Sequence, residues 1–182
     1  MLQRLRGNPF TRFIFLASFL YLAWYFLYEF YLHKHTAFDK VVVNQIVVWA
    51  EKSLQLAGYT TIDYSSIDSG FREHVGVLGY KGVSVGSPCD GVVLYVLFIF
   101  FVVAFPGPLK HKAWFVPLGT FTVFYLNVLR VAALAVIMSI NEDWLAFNHD
   151  YTFTILVYGY VFLLWVIWVQ KFSPFAKKNV VA

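Results

Sequence analysis

The chain has 182 residues, 60% hydrophobic and only 13% charged, with a formal net charge of +4. A soluble domain carries roughly a quarter charged residues, and here the apolar residues gather into long runs, so a water-soluble globule is excluded. A bilayer core about 30 Å thick needs about 20 mostly apolar residues per crossing helix. The expectation is therefore an all-α, multi-pass transmembrane bundle in one domain over residues 1–182. It should hold about four spans, one amphipathic helix and a small extracytoplasmic β-hairpin segment.

The first apolar run is 13–32, "FIFLASFLYLAWYFLYEFYL". Arg4, Arg6 and Arg12 give it a basic lead, but it is too long and too aromatic for a cleaved signal peptide and has no small-residue cleavage site. It reads as a retained anchor. His33 and His35 follow it, and an H-x-H pair with no third ligand nearby reads as interfacial. Over 41–57, Asn44, Gln45, Glu51, Lys52 and Gln55 fall on one stripe of an otherwise apolar helix. That helix is expected to lie in the interface or pack on the bundle without spanning. Residues 58–87 alternate short β-prone pieces with Gly and Ser, and "LGYKG" reads as the turn of a hairpin.

A shorter apolar run, 91–106, ends at "FPGPLKHK". Spans are then expected over 113–140 and 151–170, joined by the loop "NEDWLAFNHD". Lys and Arg concentrate in 1–12, 110–112 and 171–178, while 33–90 and 141–150 hold nearly all the acids. The positive-inside rule makes the basic segments cytoplasmic, so both termini lie inside and 33–90 outside. So few dispersed cations would bind phosphate backbones weakly, which argues against a nucleic-acid partner. The single cysteine excludes an intrachain disulfide and a Cys-rich metal site.

That cysteine, Cys89, stands in "SPCDG" at the start of the 91–106 run. Ser87 is expected as the N-cap, Pro88 at the first helical position and Asp90 in a box-like arrangement, with Cys89 in the first turn. The free N–H groups and the dipole there would lower the thiol's pKa and could hold an oxyanion. Arg130 lies inside an apolar helix, where an arginine costs about 2.5–3.5 kcal/mol on insertion scales. Such a residue is expected to be functional and partnered, and Asn127 shares its helix face three residues earlier. His149, in "FNHDYTF" at the head of the last helix, could act as a general base. Taken alone, each has a plainer reading: a packing cysteine, a snorkelling arginine, an interfacial histidine. Together, a nucleophile, a cation and an acid/base reach one leaflet from three helices.

These pieces, "PCDG" followed by "LFIFFVVAFP", then "LNVLRVAALAVI", then "HDYTF" opening "VYGYVFLLW", resemble the exosortase/archaeosortase family of membrane transpeptidases. The similarity covers roughly residues 75–170, and the chain looks like a short form of the kind found in Bacteroidetes-type bacteria. The resemblance implies Cys89 as nucleophile in a C-x-G motif with Gly91, Arg130 closing an N-x-x-R motif with Asn127, and His149 as third member. Gly91 and Asn127 would support them as motif partners, and Ser87 and Asp90 as the cap expected from the turn, although Asp90 departs from the small or uncharged residue usual in the family. It further implies a bacterial cytoplasmic-membrane enzyme with its site on the extracytoplasmic face, and no metal or cofactor. The substrates would be secreted proteins ending in a short motif, one membrane helix and a basic tail. Cleavage through a thioester would transfer them to a cell-envelope acceptor. Besides membrane lipid, those proteins would be the partners. The rival expectation is a non-catalytic membrane scaffold or assembly partner, with Arg130 joining helices.

Overall fold

A computed structural model describes residues 8–64, 66–68, 70–86 and 89–174. The chain is mostly helical. Helix α1 runs Pro9–His35, α2 Phe38–Leu56, α3 Val92–Ala104, α4 Leu109–Ile140 and α5 Asp143–Phe172. One antiparallel sheet pairs β1 (His74–Val75) with β2 (Val83–Ser84). Helices α1, α4 and α5, at 27, 32 and 30 residues, are long and apolar enough to cross a membrane, which makes this a membrane protein.

Several boundaries differ from the sequence expectation. Helix α1 begins four residues early, at Pro9, because Asn8 Oδ1 accepts the Phe10 N–H at 3.0 Å and proline fits the first helical position. Helix α4 begins at Leu109, so the basic residues 110–112 form its first turn instead of a loop. The segment 141–150, expected as a loop, is largely helical, and α5 runs from Asp143 through a π-helical turn at Asn148–Thr152. The fourth span is not confirmed. Helix α3 has 13 residues, about 20 Å, against a core of about 30 Å. Pro106 and Pro108 stop its extension.

The chain forms two compact units. The first takes the chain up to Tyr31, Val92–Val123 and the chain from Gly159 onward. Here Phe13 of α1 meets Phe101 and Phe105 edge-on at 5.3 and 5.0 Å, and Phe101 stacks on Trp165 of α5 at 4.5 Å. Gly119 lets Phe98 press against the backbone of α4, the close approach that small residues permit between apolar helices.

The second unit holds Leu32–Gly91 and Phe124–Tyr158. Val43, Ile46, Val47, Ala50 and Leu54 make one stripe of α2, at i, i+3, i+4, i+7 and i+11, and all are buried. They pack with Val128, Val131, Ala132 and Ala135 of α4 and with Val75 and Val85. Helix α2 is thus a packed helix, and its polar stripe does structural work on the following segment. Asn44 Oδ1 accepts the Arg72 N–H at 2.9 Å, Glu51 pairs with the Arg72 guanidinium, and Gln55 Nε2 donates to Thr61 Oγ1 at 3.1 Å.

The hairpin expected over 58–87 is shorter than anticipated. Its ladder pairs only His74 with Ser84 and Val75 with Val83, with an isolated bridge between Thr61 and Val77. Gly79 turns the chain at φ +90°. Gly76 and Gly82 approach so closely that a Cβ on Gly76 would meet the Gly82 Cα at 2.7 Å. Asp68 clasps the base of the hairpin, accepting from the Glu73 N–H at 3.0 Å and meeting His74 Nδ1 at 2.6 Å. Burial opposes ionisation of Asp68, yet the hydrogen bonds from His74 and Glu73 outweigh it and hold the carboxyl below its ordinary range.

Candidate functional site

The second unit carries every candidate site residue that the structure describes. Cys89 is half-buried against the core of α2 and α4. It precedes α3 by three residues, and its N–H donates to the Gly86 carbonyl at 2.9 Å. Gly91 follows at φ +72°, a left-handed conformation that suits glycine and separates Cys89 from the helix. Cys89 therefore does not occupy the first turn of α3. Asp90 lies outside that turn as well, with its carboxylate buried. Ser87, the expected cap, and Pro88 lie outside the described residues.

This placement reverses the expected electrostatics of the thiol. Burial pushes the Cys89 pKa above its ordinary value, the positive charge of Arg130 opposes the rise, and the carboxylates of Asp90 and Asp150 add to it. The expected lowering rested on a helix N-terminus that Cys89 does not occupy. A neutral thiol needs a base, and one stands beside it: Cys89 Sγ and His149 Nε2 are 2.9 Å apart.

His149 sits in the π-helical turn of α5. Such turns re-aim side chains and occur often at functional sites. Its carbonyl oxygen accepts from Arg130 Nη2 at 3.3 Å and from Thr154 Oγ1 at 3.1 Å. Its Nδ1 meets Asp150 Oδ1 at 2.8 Å. If Nδ1 carries the proton for that bond, Nε2 faces the thiol as an acceptor. The sequence reading passed over Asp150 and Thr154. The signal for Asp150 was the bare "HD" pair. Thr154 meets the His149 carbonyl five residues on, a spacing that a regular α-helix would not have suggested.

Helix α4 supplies the other side. Asn127 Nδ2 donates to the Cys89 carbonyl at 2.9 Å, fixing the backbone that bears the thiol. Arg130 lies about 32 Å along α4 from Leu109. Both residues are buried, Asn127 fully and Arg130 at 9% exposure. Asn127 Oδ1 and Arg130 Nε have no hydrogen-bond partner among the described residues. A buried donor and acceptor left open cost about 1–3 kcal/mol each, and polar groups in that state call for a functional account.

The arrangement thus offers a thiol, a base in contact with it, a carboxylate behind the base, and a buried guanidinium with an open N–H. Among the described residues no group of three His, Cys, Asp or Glu side chains is placed to hold a metal ion. In comparisons with known proteins, no family, no curated protein and no solved structure matches this chain.

Proposed function

We propose that the protein is a membrane-embedded cysteine protease or transpeptidase of exosortase-like type. The observation that carries the reading is the 2.9 Å approach of Cys89 Sγ to His149 Nε2, made between residues 60 apart in sequence. A scaffold role would not need a thiol and an imidazole in contact, nor an open guanidinium nitrogen beside them.

In this reading His149 Nε2 takes the Cys89 proton as the sulfur attacks the carbonyl carbon of a peptide bond just outside the substrate's membrane helix. Raised by burial, the thiol gives up its proton as it attacks and is not stored as thiolate. Arg130 neutralises the oxyanion, its Nε–H being the open donor. Asp150 keeps the His149 proton on Nδ1 and stabilises the imidazolium. His149 then protonates the leaving amine nitrogen, the C–N bond breaks, and a thioester to Cys89 remains. An acceptor amine of the cell envelope attacks that thioester and restores the thiol, whereas water would give simple proteolysis. The substrate class is a secreted protein with a C-terminal motif, a membrane helix and a basic tail. The enzyme would work in a bacterial cytoplasmic membrane with this site on the outer face.

The test is a mass-spectrometric inventory of the C-terminal tails of exported proteins in cells producing the wild type or Cys89→Ala at equal level. Tails should stay attached in Cys89→Ala cells. Equal removal in both strains would exclude thiol catalysis.

A further inference from the structure

The first unit contains a feature that this chemistry does not use. A cavity of about 770 Å³ is lined on one side by α1, from Pro9 to Phe19, and on the other by the turn from Ala104 to Gly107 with Lys112 of α4. Phe13, Phe15, Leu16 and Phe19 make its wall apolar. Two cations, Arg12 and Lys112, complete the lining, and no acidic residue takes part. The Lys112 ammonium donates to the Val103 carbonyl at 2.6 Å and retains further donors. Among the described residues neither cation is paired with an acid.

We propose that this cavity is a binding site for one anionic phospholipid, its phosphate held by Arg12 and Lys112 and an acyl chain laid over Phe15 and Phe19. Three observations select that occupant. Arg12 and Lys112 each lie in the first turn of a span-length helix, the level of the lipid headgroups. Phe15 and Phe19 are 70% and 67% exposed, so the wall continues outward as a surface fit for a chain. The lining has cations and no acid, so it complements a phosphate and offers no carboxylate to the ammonium of a choline or ethanolamine headgroup. Over Pro9–Leu27, α1 buries none of its own side chains. A lipid filling the cavity would add contact between α1 and the 104–107 turn.

The experiment counts lipids that stay on the detergent-purified full-length protein by native mass spectrometry. The probes are phosphatidylglycerol and phosphatidylcholine with identical chains, with inorganic phosphate as competitor. The wild type should retain one phosphatidylglycerol in preference to phosphatidylcholine, and millimolar phosphate should not displace it. Arg12→Gln and Lys112→Gln should each weaken retention about fivefold, the effect of roughly 1 kcal/mol per cation near a lipid surface. Lys110→Gln, which removes the same charge outside the cavity lining, should leave retention unchanged. Equal retention of the two lipids overturns the proposal, as does an equal loss in Lys110→Gln, which would indicate diffuse attraction. No retained lipid on the wild type also overturns it. None of these readouts depends on catalysis at Cys89.

Discussion

Replacing His149 by alanine removes the only base in contact with Cys89 among the described residues. The consequence can be worked from the thiol's surroundings. An ordinary cysteine with a pKa near 8.5 is about 3% thiolate at pH 7. Burial and two carboxylates raise Cys89 above its ordinary value, so alone it would be ionised still less. A positioned base typically contributes about 100–10,000-fold to such a proton transfer. Because the chain has one cysteine, alkylation by iodoacetamide followed by intact mass reports that thiol without ambiguity. At pH 7 His149→Ala should be alkylated at least about tenfold more slowly than the wild type, a bound set below the roughly 100-fold low end of that range to allow for reagent access. Its rate should keep climbing with pH toward the alkaline range. Equal rates and equal pH profiles in the two proteins would refute the base role, and the proposed mechanism with it.

Asp150→Asn should slow the same alkylation by no more than about fivefold, because an exposed pair is worth at most about 1 kcal/mol; the side chain is 62% exposed. Arg130→Lys should reduce tail processing almost as far as Arg130→Ala, about 100-fold or more, since lysine keeps the charge but lacks the planar fork of donors; full processing would reduce Arg130 to a generic cation. Asp68→Asn should lower the thermal midpoint at pH 7, followed by circular dichroism. The Asp68 carboxyl is held below its unfolded value of about 3.9, so its stabilisation is complete above that pH and lost as pH falls through the folded value. Wild type and Asp68→Asn should therefore keep their full difference down to about pH 4 and converge as the pH falls further through the folded value, and a constant difference would count against the clasp.

Much of the membrane architecture was legible from residue order alone. Runs of apolar residues long enough for a bilayer cannot be hidden in a small globule, so α1, α4 and α5 could be anticipated within a few residues at most of their ends. The amphipathic stripe of α2 was readable for the same reason, because 3.6-residue periodicity is a local property. Cys89, Asn127, Arg130 and His149 stood out as chemistry in apolar surroundings, where a polar side chain carries a cost. What the sequence could not supply were properties set by several elements at once. The turn chemistry around Cys89 suggested a helix N-terminus and an acidic thiol. Instead Gly91 at positive φ ends any first turn there, and burial with two carboxylates raises the pKa. The segment at 141–150 looked like a loop because its polar residues are spaced without apolar period, yet it continues into α5. The π-helical turn that aims His149 has no sequence signature, since it reflects one residue of helical register. Nor could α2's polar stripe be assigned to the 58–87 segment before the fold brought Asn44 to Arg72 across 28 residues. Local sequence determined which segments are apolar enough to cross a membrane. Which polar groups meet, and therefore which proton can move, depends on long-range packing that only the tertiary structure decides.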